Sequence, residues 1–164
     1  MLRSTVKAVL LRELAAVRRS VEAYPDERTL WKEVTGIANT GGTLVLHLNG
    51  NLQHYLGAVL GGSGYVRDRA AEFASRGVAR GELLAGVAAA ERAIEIGIDA
   101  VRDDQLGAPY PEEVAGRQVA IGDFLVHIAT HLAFHLGQLD YHRRMVTADS
   151  ATIGALSPKE LPVR

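Results

Sequence analysis

Residues 127–142 read HIATHLAFHLGQLDYH and contain four of the six histidines in the chain. Successive histidines are separated by steps of four, four and seven residues. Because an α-helix turns by about 100° per residue, these steps place all four imidazoles in one stripe along a helix. The apolar residues between them continue the helical repeat over about residues 121–147. The stretch therefore predicts a long helix with an imidazole-bearing line on one face.

Three further segments repeat apolar residues every three or four positions, over about residues 3–22, 40–60 and 80–101. Asn39 or Thr40 would cap the start of the second of these helices. No sustained alternation of apolar and polar residues predicts a strand. Four helices of this length in 164 residues predict one all-α domain over residues 1–164, built as a four-helix bundle.

The connection between the second and third helices is long and contains RDRAAEF at 67–73, which favours a short helical turn. A connection of this length can run along the bundle and return the chain in the same direction. The sequence therefore predicts an up-down-down-up order of helices.

The composition excludes several classes of function. With 18 basic and 19 acidic residues the net charge is −1, so no strong field favours nucleic acid. The chain has no cysteine, which excludes disulfides, a thiol nucleophile and cysteine-based zinc motifs. No stretch resembles a secretory signal or reaches the ~18 apolar residues of a membrane span. We expect a cytoplasmic protein that binds neither nucleic acid nor membrane.

A second polar stripe lies on the second helix, where His47, Asn51 and His54 fall within about 60° of one another. Imidazoles that face the interior of a bundle are costly unless their nitrogens are satisfied. A divalent metal ion would satisfy them, because a catalytic site uses three protein ligands and leaves one position open. The two stripes therefore predict a metal site between the second and fourth helices.

Spacing alone does not choose the ligands on the fourth helix. His127 and His135 lie about 12 Å apart along the axis, too far to bind one ion together. The pair could be His127 with His131, or His131 with His135. Both pairs are four residues apart, the separation at which helical side chains can converge on one ion.

Several motifs resemble those of the DinB superfamily, whose members are four-helix bundles often described as metalloenzymes. HLAFHLGQ at 131–138 resembles its last-helix signature HxxxHxGQ, and TLVLHLNGNL at 43–52 resembles its second-helix signature. YVRDRAAEFASRG at 65–77 and LDYHRR at 139–144 resemble one branch of the superfamily. The resemblance covers most of the chain, from about residue 31 to residue 144.

The resemblance implies that His47, His131 and His135 are the metal ligands and that the ion is zinc, nickel or a similar divalent metal. One position departs from the commonest pattern. Many members carry arginine immediately before the Gly-Gln pair, where this chain has Leu136. The resemblance therefore implies no role for a cation at this position.

His54 and His127 are the candidate catalytic residues. If the second and fourth helices are antiparallel, both histidines lie on the same side of the metal, near a bound substrate. No Asp or Glu lies on either stripe, so a general base would have to be one of these imidazoles. Asn51 is the candidate cofactor-binding residue, while Gln138 and His142 are expected to have structural roles.

The resemblance also implies thiol-dependent chemistry, since members with assigned activities are S-transferases and isomerases that use low-molecular-weight bacterial thiols. A metal held by three neutral imidazoles keeps its full charge and would lower the pKa of a bound thiol or water. Because the chain has no cysteine, the thiol must come from a cofactor. The leading hypothesis is a metal-dependent enzyme that activates a small thiol, or water, for reaction with a small-molecule substrate.

The alternative hypothesis is a non-catalytic bundle stabilised by the metal, which acts as a dimeric stress-response or binding protein. A fourth protein ligand, such as His54 or His127, would favour this reading, whereas an open position with a pocket would favour an enzyme. A ferritin-like di-iron protein is a weak third hypothesis, because its site needs Glu-x-x-His pairs, which the chain lacks. In either case we expect a homodimer, since two-fold dimers are the commonest oligomers.

Overall fold

Four long helices build the molecule, and the computed structural model describes residues 2–153. In chain order the helices are α1 (Leu2–Glu22), α2 (Glu27–Leu30), α3 (Gly41–Leu52) with a π-helical continuation (Gln53–Leu60), α4 (Arg69–Ala74), α5 (Arg80–Ala100) and α6 (Ile121–Thr147). Within residues 2–153 there is no strand, only isolated β-bridges in the connections. The predicted all-α bundle is confirmed, including the short helical turn that forms α4.

The core lies between α1, α3, α5 and α6. Helix α1 packs against α5 and α6, and α3 packs against the same two helices. Apolar side chains at helical spacing supply the contacts; among the fully buried ones are Leu10, Leu48, Ile94 and Leu132. None of the helices in the described part of the chain is long and apolar enough to cross a membrane.

Contacts between helix ends give the directions of α1, α5 and α6. Lys7 Nζ in the second turn of α1 lies 2.7 Å from Asp99 Oδ2 in the last turn of α5, so these helices are antiparallel. Tyr24 Oη, just beyond the end of α1, lies 3.3 Å from the carbonyl oxygen of Leu139 in the C-terminal part of α6. Helices α1 and α6 therefore run in the same direction.

Helices α3 and α5 are parallel neighbours. Asn49 Nδ2 donates to the carbonyl oxygen of Leu83 over 3.1 Å, near the start of α5. Further along the pair, the backbone at Gly57 approaches Ala93. A parallel pair needs a connection that runs back along the bundle, and residues 61–79, which contain α4, provide it. The predicted up-down-down-up order is confirmed.

The second long helix is regular only in its first half. Thr40 caps its start, because Thr40 Oγ1 accepts a hydrogen bond from the Thr43 N–H over 3.2 Å. From Gln53 the helix widens into a π-helix, shown by the Gly61 N–H that donates to the Leu56 carbonyl over 3.0 Å. The sequence predicted one continuous α-helix here, and that prediction is wrong beyond Leu52.

Close packing of the π-helix against α5 depends on Gly97. A Cβ at this position would collide with the backbone of Leu56, including its carbonyl oxygen. We expect Gly97→Ala to lower the free energy of unfolding by about 1–3 kcal/mol, the usual cost of overpacking a core. Gly81→Ala in α5 is the matched control, because a Cβ there meets nothing within 4 Å. Denaturant unfolding of both variants measures the difference, and equal stabilities would contradict the packing argument.

Candidate metal centre

Three histidines meet between α3 and α6. His47 comes from α3, and His131 and His135 come from consecutive turns of α6. The Nε2 atoms of His47 and His131 are 3.3 Å apart, and one candidate ligand nitrogen from each of the three residues lies within 4.8 Å of the others. His47 is buried and the other two are half-buried. Of the two pairs that spacing left open, the structure brings His131 and His135 to His47.

The cluster favours neutral imidazoles. Burial, together with the nearby His135 and His47, lowers the pKa of His131 to about 4. Burial also lowers the pKa of His135, although its hydrogen bond with Gln138 acts in the opposite direction. Both rings are therefore neutral near pH 7. Neutral imidazole is the form that binds a metal ion.

A buried carboxylate from α4 orients His47. Glu72 Oε2 lies 3.0 Å from His47 Nδ1, and Glu72 also accepts hydrogen bonds of 2.7 and 2.9 Å from Arg67. Burial alone would raise the pKa of Glu72, but the hydrogen bonds from Arg67 and His47 hold it below its usual value. Because an ionised carboxylate only accepts, His47 Nδ1 carries the proton and Nε2 is left free to bind a metal.

Gly50 makes room for this contact. It lies in α3, three residues after His47, and a Cβ there would collide with the carboxylate of Glu72. The sequence correctly indicated that no acidic residue lies on the two histidine stripes. It did not reveal that the connection between α3 and α5 returns Glu72 to the buried side of His47.

Gln138 orients the third histidine. Its Oε1 lies 2.7 Å from His135 Nδ1, so this nitrogen donates to the amide oxygen and Nε2 is again left free. The structural role expected for Gln138 is consistent with this hydrogen bond to His135. His142 is buried away from the cluster, where its Nδ1 lies 2.7 Å from Tyr24 Oη and its Nε2 lies 2.9 Å from the Lys32 carbonyl oxygen.

A cavity of about 430 Å³ opens over the three histidines. Besides His47, His131 and His135, it is lined by residues from the connections and from both helices: Asn39, Asn51, Tyr55, Arg67, Arg69, Phe73, Val114, Phe124, His127 and Ile128. Asn51 is buried, and within residues 2–153 its Oδ1 has no hydrogen-bond partner. Asn51 therefore lines the cavity with an amide that the described residues leave unsatisfied.

A family model described as Mycothiol-S-transferase matches residues 5–148. The chain belongs to this family. The mycothiol-S-transferase family is part of the DinB superfamily, so the resemblance seen in the sequence is confirmed. No curated protein and no solved structure matches the chain significantly.

The two candidate catalytic histidines lie in different places. His127 is exposed and lines the cavity, with its ring centroid 6.1 Å from that of His131. His54 is not part of the cavity wall, and its Nε2 lies 3.0 Å from Glu112 Oε1. His54 belongs to the π-helical part of the second long helix, and its ring pairs with Glu112 instead of lining the cavity. The geometry gives no support to a catalytic role for His54.

The three histidines fit a divalent metal ion. The donor set consists of imidazole nitrogens, which suit zinc and nickel among other transition metals. On His47 and His135 a hydrogen bond to Nδ1 leaves Nε2 free, as is typical of metal-bound histidines. His131 turns its Nε2 toward His47, and its Nδ1 is buried without a hydrogen-bond partner in the described part of the chain.

Proposed function

We propose that this protein is a metal-dependent S-transferase in which His47, His131 and His135 hold a divalent ion, zinc or nickel. The observation that carries the proposal is the convergence of these three imidazoles beneath a cavity of about 430 Å³. Membership of the mycothiol-S-transferase family indicates that the nucleophile is a low-molecular-weight thiol. The absence of cysteine from the chain requires the sulfur to come from such a cofactor.

A divalent ion bound at this site would lower the pKa of the thiol and so supply a thiolate at neutral pH. The residues around the ion have separate tasks. Glu72 and Gln138 hold the rings of His47 and His135 in the ligand orientation. Asn51 offers its cavity-lining amide, which has no partner in the described part of the chain, to a polar group of the bound cofactor or substrate. The half-buried rings of Tyr55 and Phe73 keep part of the cavity dry.

His127 is the proposed proton acceptor. It is exposed at the cavity wall, stacks against Phe124 at a centroid distance of 5.8 Å and has no ionic partner in the described part of the chain. From this position it can take the thiol proton and pass it to solvent. With water as the nucleophile, the same imidazole would act as the base, which keeps a hydrolase reaction compatible with the site.

The arrangement favours an enzyme over a purely structural metal site. A structural zinc site is normally closed by a fourth protein ligand. Within residues 2–153 the clustered ligands are three histidines, and neither His127 nor His54 joins them. A cavity lies over the cluster instead of a fourth side chain. For this reason the non-catalytic bundle is only the second candidate function.

The proposal is tested by a conjugation assay that compares two histidine variants. Zn²⁺- and Ni²⁺-loaded protein is given mycothiol and a thiol-reactive electrophile, and the S-conjugate is measured above the uncatalysed rate. A base typically contributes about 10²-fold or more, but water can partly replace an exposed one, so we expect His127→Ala to lower kcat by about tenfold. His54→Ala, which removes an imidazole outside the cavity, is expected to keep the wild-type rate.

No conjugate with either metal would reject the transferase and favour the structural bundle. A loss of rate in His54→Ala that matches the loss in His127→Ala would contradict the role of His127. The homodimer expected from the sequence is retained as a proposal and is checked by the mass of the protein in solution. A monomeric mass would reject it without affecting the metal site.

A further inference from the structure

The cavity wall carries an uncompensated positive charge. Arg67 and Arg69 line the cavity, and among the lining residues in the described part of the chain there is no Asp or Glu. The charge of Arg67 is neutralised by Glu72, which accepts two hydrogen bonds from it and does not itself line the cavity. Arg69 is exposed, and no carboxylate in residues 2–153 lies within ion-pair distance of it. One cavity-lining guanidinium is therefore available to a ligand.

Arg69 lines the cavity and is also exposed, so it stands at the edge of the cavity, here called the rim. Its guanidinium carbon lies 5.0 Å from the centroid of the Phe73 ring, a cation–π contact. Phe73 in turn packs against His47, with ring centroids 5.0 Å apart. A single side chain therefore separates the free guanidinium from the histidine cluster.

A second observation points to a ligand in the same cavity. Asn51 is more than nine-tenths buried, lines the cavity and has an Oδ1 without a partner in the described part of the chain. A largely buried amide without partners in the protein is costly unless a ligand or water supplies them. Apolar side chains also line the cavity, Phe124 and Ile128 among them. The cavity thus combines the histidine cluster, an unsatisfied amide, apolar side chains and one free guanidinium.

We propose that Arg69 selects electrophilic substrates that carry a carboxylate, which it binds at the rim while the apolar body of the substrate lies against Phe73 and Phe124. This proposal rests on the S-transferase function proposed above and names the class of its electrophile. A guanidinium binds a carboxylate through two parallel N–H donors, so it also orients the substrate. The reactive carbon is then directed away from the rim and toward the three histidines.

The test uses two electrophiles with one skeleton, 4-(bromomethyl)benzoate and its methyl ester, with a neutral thiol, 2-mercaptoethanol. In both reactions the thiol sulfur bonds to the benzylic carbon, the carbon–bromine bond breaks, bromide leaves and the thiol proton passes to solvent. For the Zn²⁺-loaded protein we expect kcat/KM to favour the acid by about tenfold, the size of one charge-assisted contact, mainly through a lower KM. Arg69→Gln should abolish this preference, and Arg69→Lys should retain much of it.

Arg92→Gln is the matched control. It removes the same charge from an exposed arginine on α5 that does not line the cavity, and it should keep the tenfold preference. If Arg92→Gln loses the preference as Arg69→Gln does, net charge rather than a specific contact is responsible and the proposal fails. If the preference survives in Arg69→Gln, the carboxylate is held elsewhere, which also overturns the proposal.

A binding measurement separates this proposal from the transferase function. Calorimetry with the unreactive 4-methylbenzoate and 4-methylbenzamide requires no turnover. We expect the wild-type protein to bind the carboxylate about tenfold more tightly than the amide, and Arg69→Gln to bind both equally. If no conjugate forms but this pattern holds, the transferase function is wrong and Arg69 still binds anions. Equal affinities in the wild-type protein would overturn the role of Arg69.

Discussion

Replacing His135 with alanine is expected to remove the bound divalent ion and leave the helix bundle folded. The variant lacks one of the three imidazoles that converge on the site, so two nitrogens would have to hold the ion. Even residues that only orient a metal ligand are worth about 10- to 100-fold in affinity, so we expect a loss of at least about 100-fold. Elemental analysis after dialysis measures the metal content, and circular dichroism checks that the helices remain.

His54→Ala is the control for this experiment. This variant likewise removes one imidazole, but from the π-helical continuation of α3. That imidazole pairs with Glu112 and does not line the cavity. We expect the control to retain the wild-type metal content. Unchanged metal content in His135→Ala, with the control also unchanged, would contradict the assignment of His135 as a ligand.

The second large effect is expected from the support behind His47. Glu72→Gln keeps the shape of the side chain but removes the charge that His47 Nδ1 and Arg67 share. We expect the affinity for Zn²⁺ to fall by about 10- to 100-fold, the usual contribution of a carboxylate that orients a metal-bound histidine. A competition titration against a chromophoric chelator measures the dissociation constant.

Gly50→Ala should weaken the same site without altering any polar group. Its Cβ would displace the Glu72 carboxylate, which cannot move without leaving Arg67 and His47. Alanine favours the helix by up to about 1 kcal/mol relative to glycine, so the fold should be retained. Gly81→Ala makes the same replacement where a Cβ meets nothing within 4 Å and should leave the affinity unchanged. Zn²⁺ affinities that are equal in the two variants would show that Glu72 does not support the site.

The helices could be predicted because their apolar residues recur at one period. The histidines of α6 could also be placed, since α6 is regular from Ile121 to Thr147 and steps of 100° remain accurate along it. The same arithmetic could not anticipate the π-helix that begins at Gln53, nor that His54 in this segment pairs with Glu112 outside the cavity. Periodicity carries no signal for such a change. The glycines at 57 and 97, where two backbones come together, were the available hint.

The residues around the ligands could not be predicted, because they lie in a connection whose path depends on tertiary packing. Arg67 and Glu72 belong to residues 61–79, a segment that shows no long apolar repeat. The three connections, 23–40, 61–79 and 101–120, are of similar length, so length did not indicate which of them covers the site. The signal that could have found the pair is the charged RDRAAEF turn itself, which places a cation and a carboxylate five residues apart.

The position next to His135 also has a structural explanation. Leu136, where many DinB members carry arginine, is buried in the core and faces away from the cavity. The cations of this site come instead from α4 and the residues just before it. Arg67 binds Glu72, and Arg69 lies at the rim of the cavity. The departure in sequence therefore leaves the histidine cluster intact.

X-ray absorption at the metal edge of Zn²⁺-loaded protein tests the central claim most directly. We expect one ion per chain with three imidazole nitrogens at about 2.0–2.1 Å and one further oxygen or nitrogen, which a sulfur at about 2.3 Å replaces when a small thiol is added. A spectrum with four imidazoles that does not change with thiol would mean a closed, structural site. A spectrum without imidazole scattering would mean that the three histidines do not bind the metal.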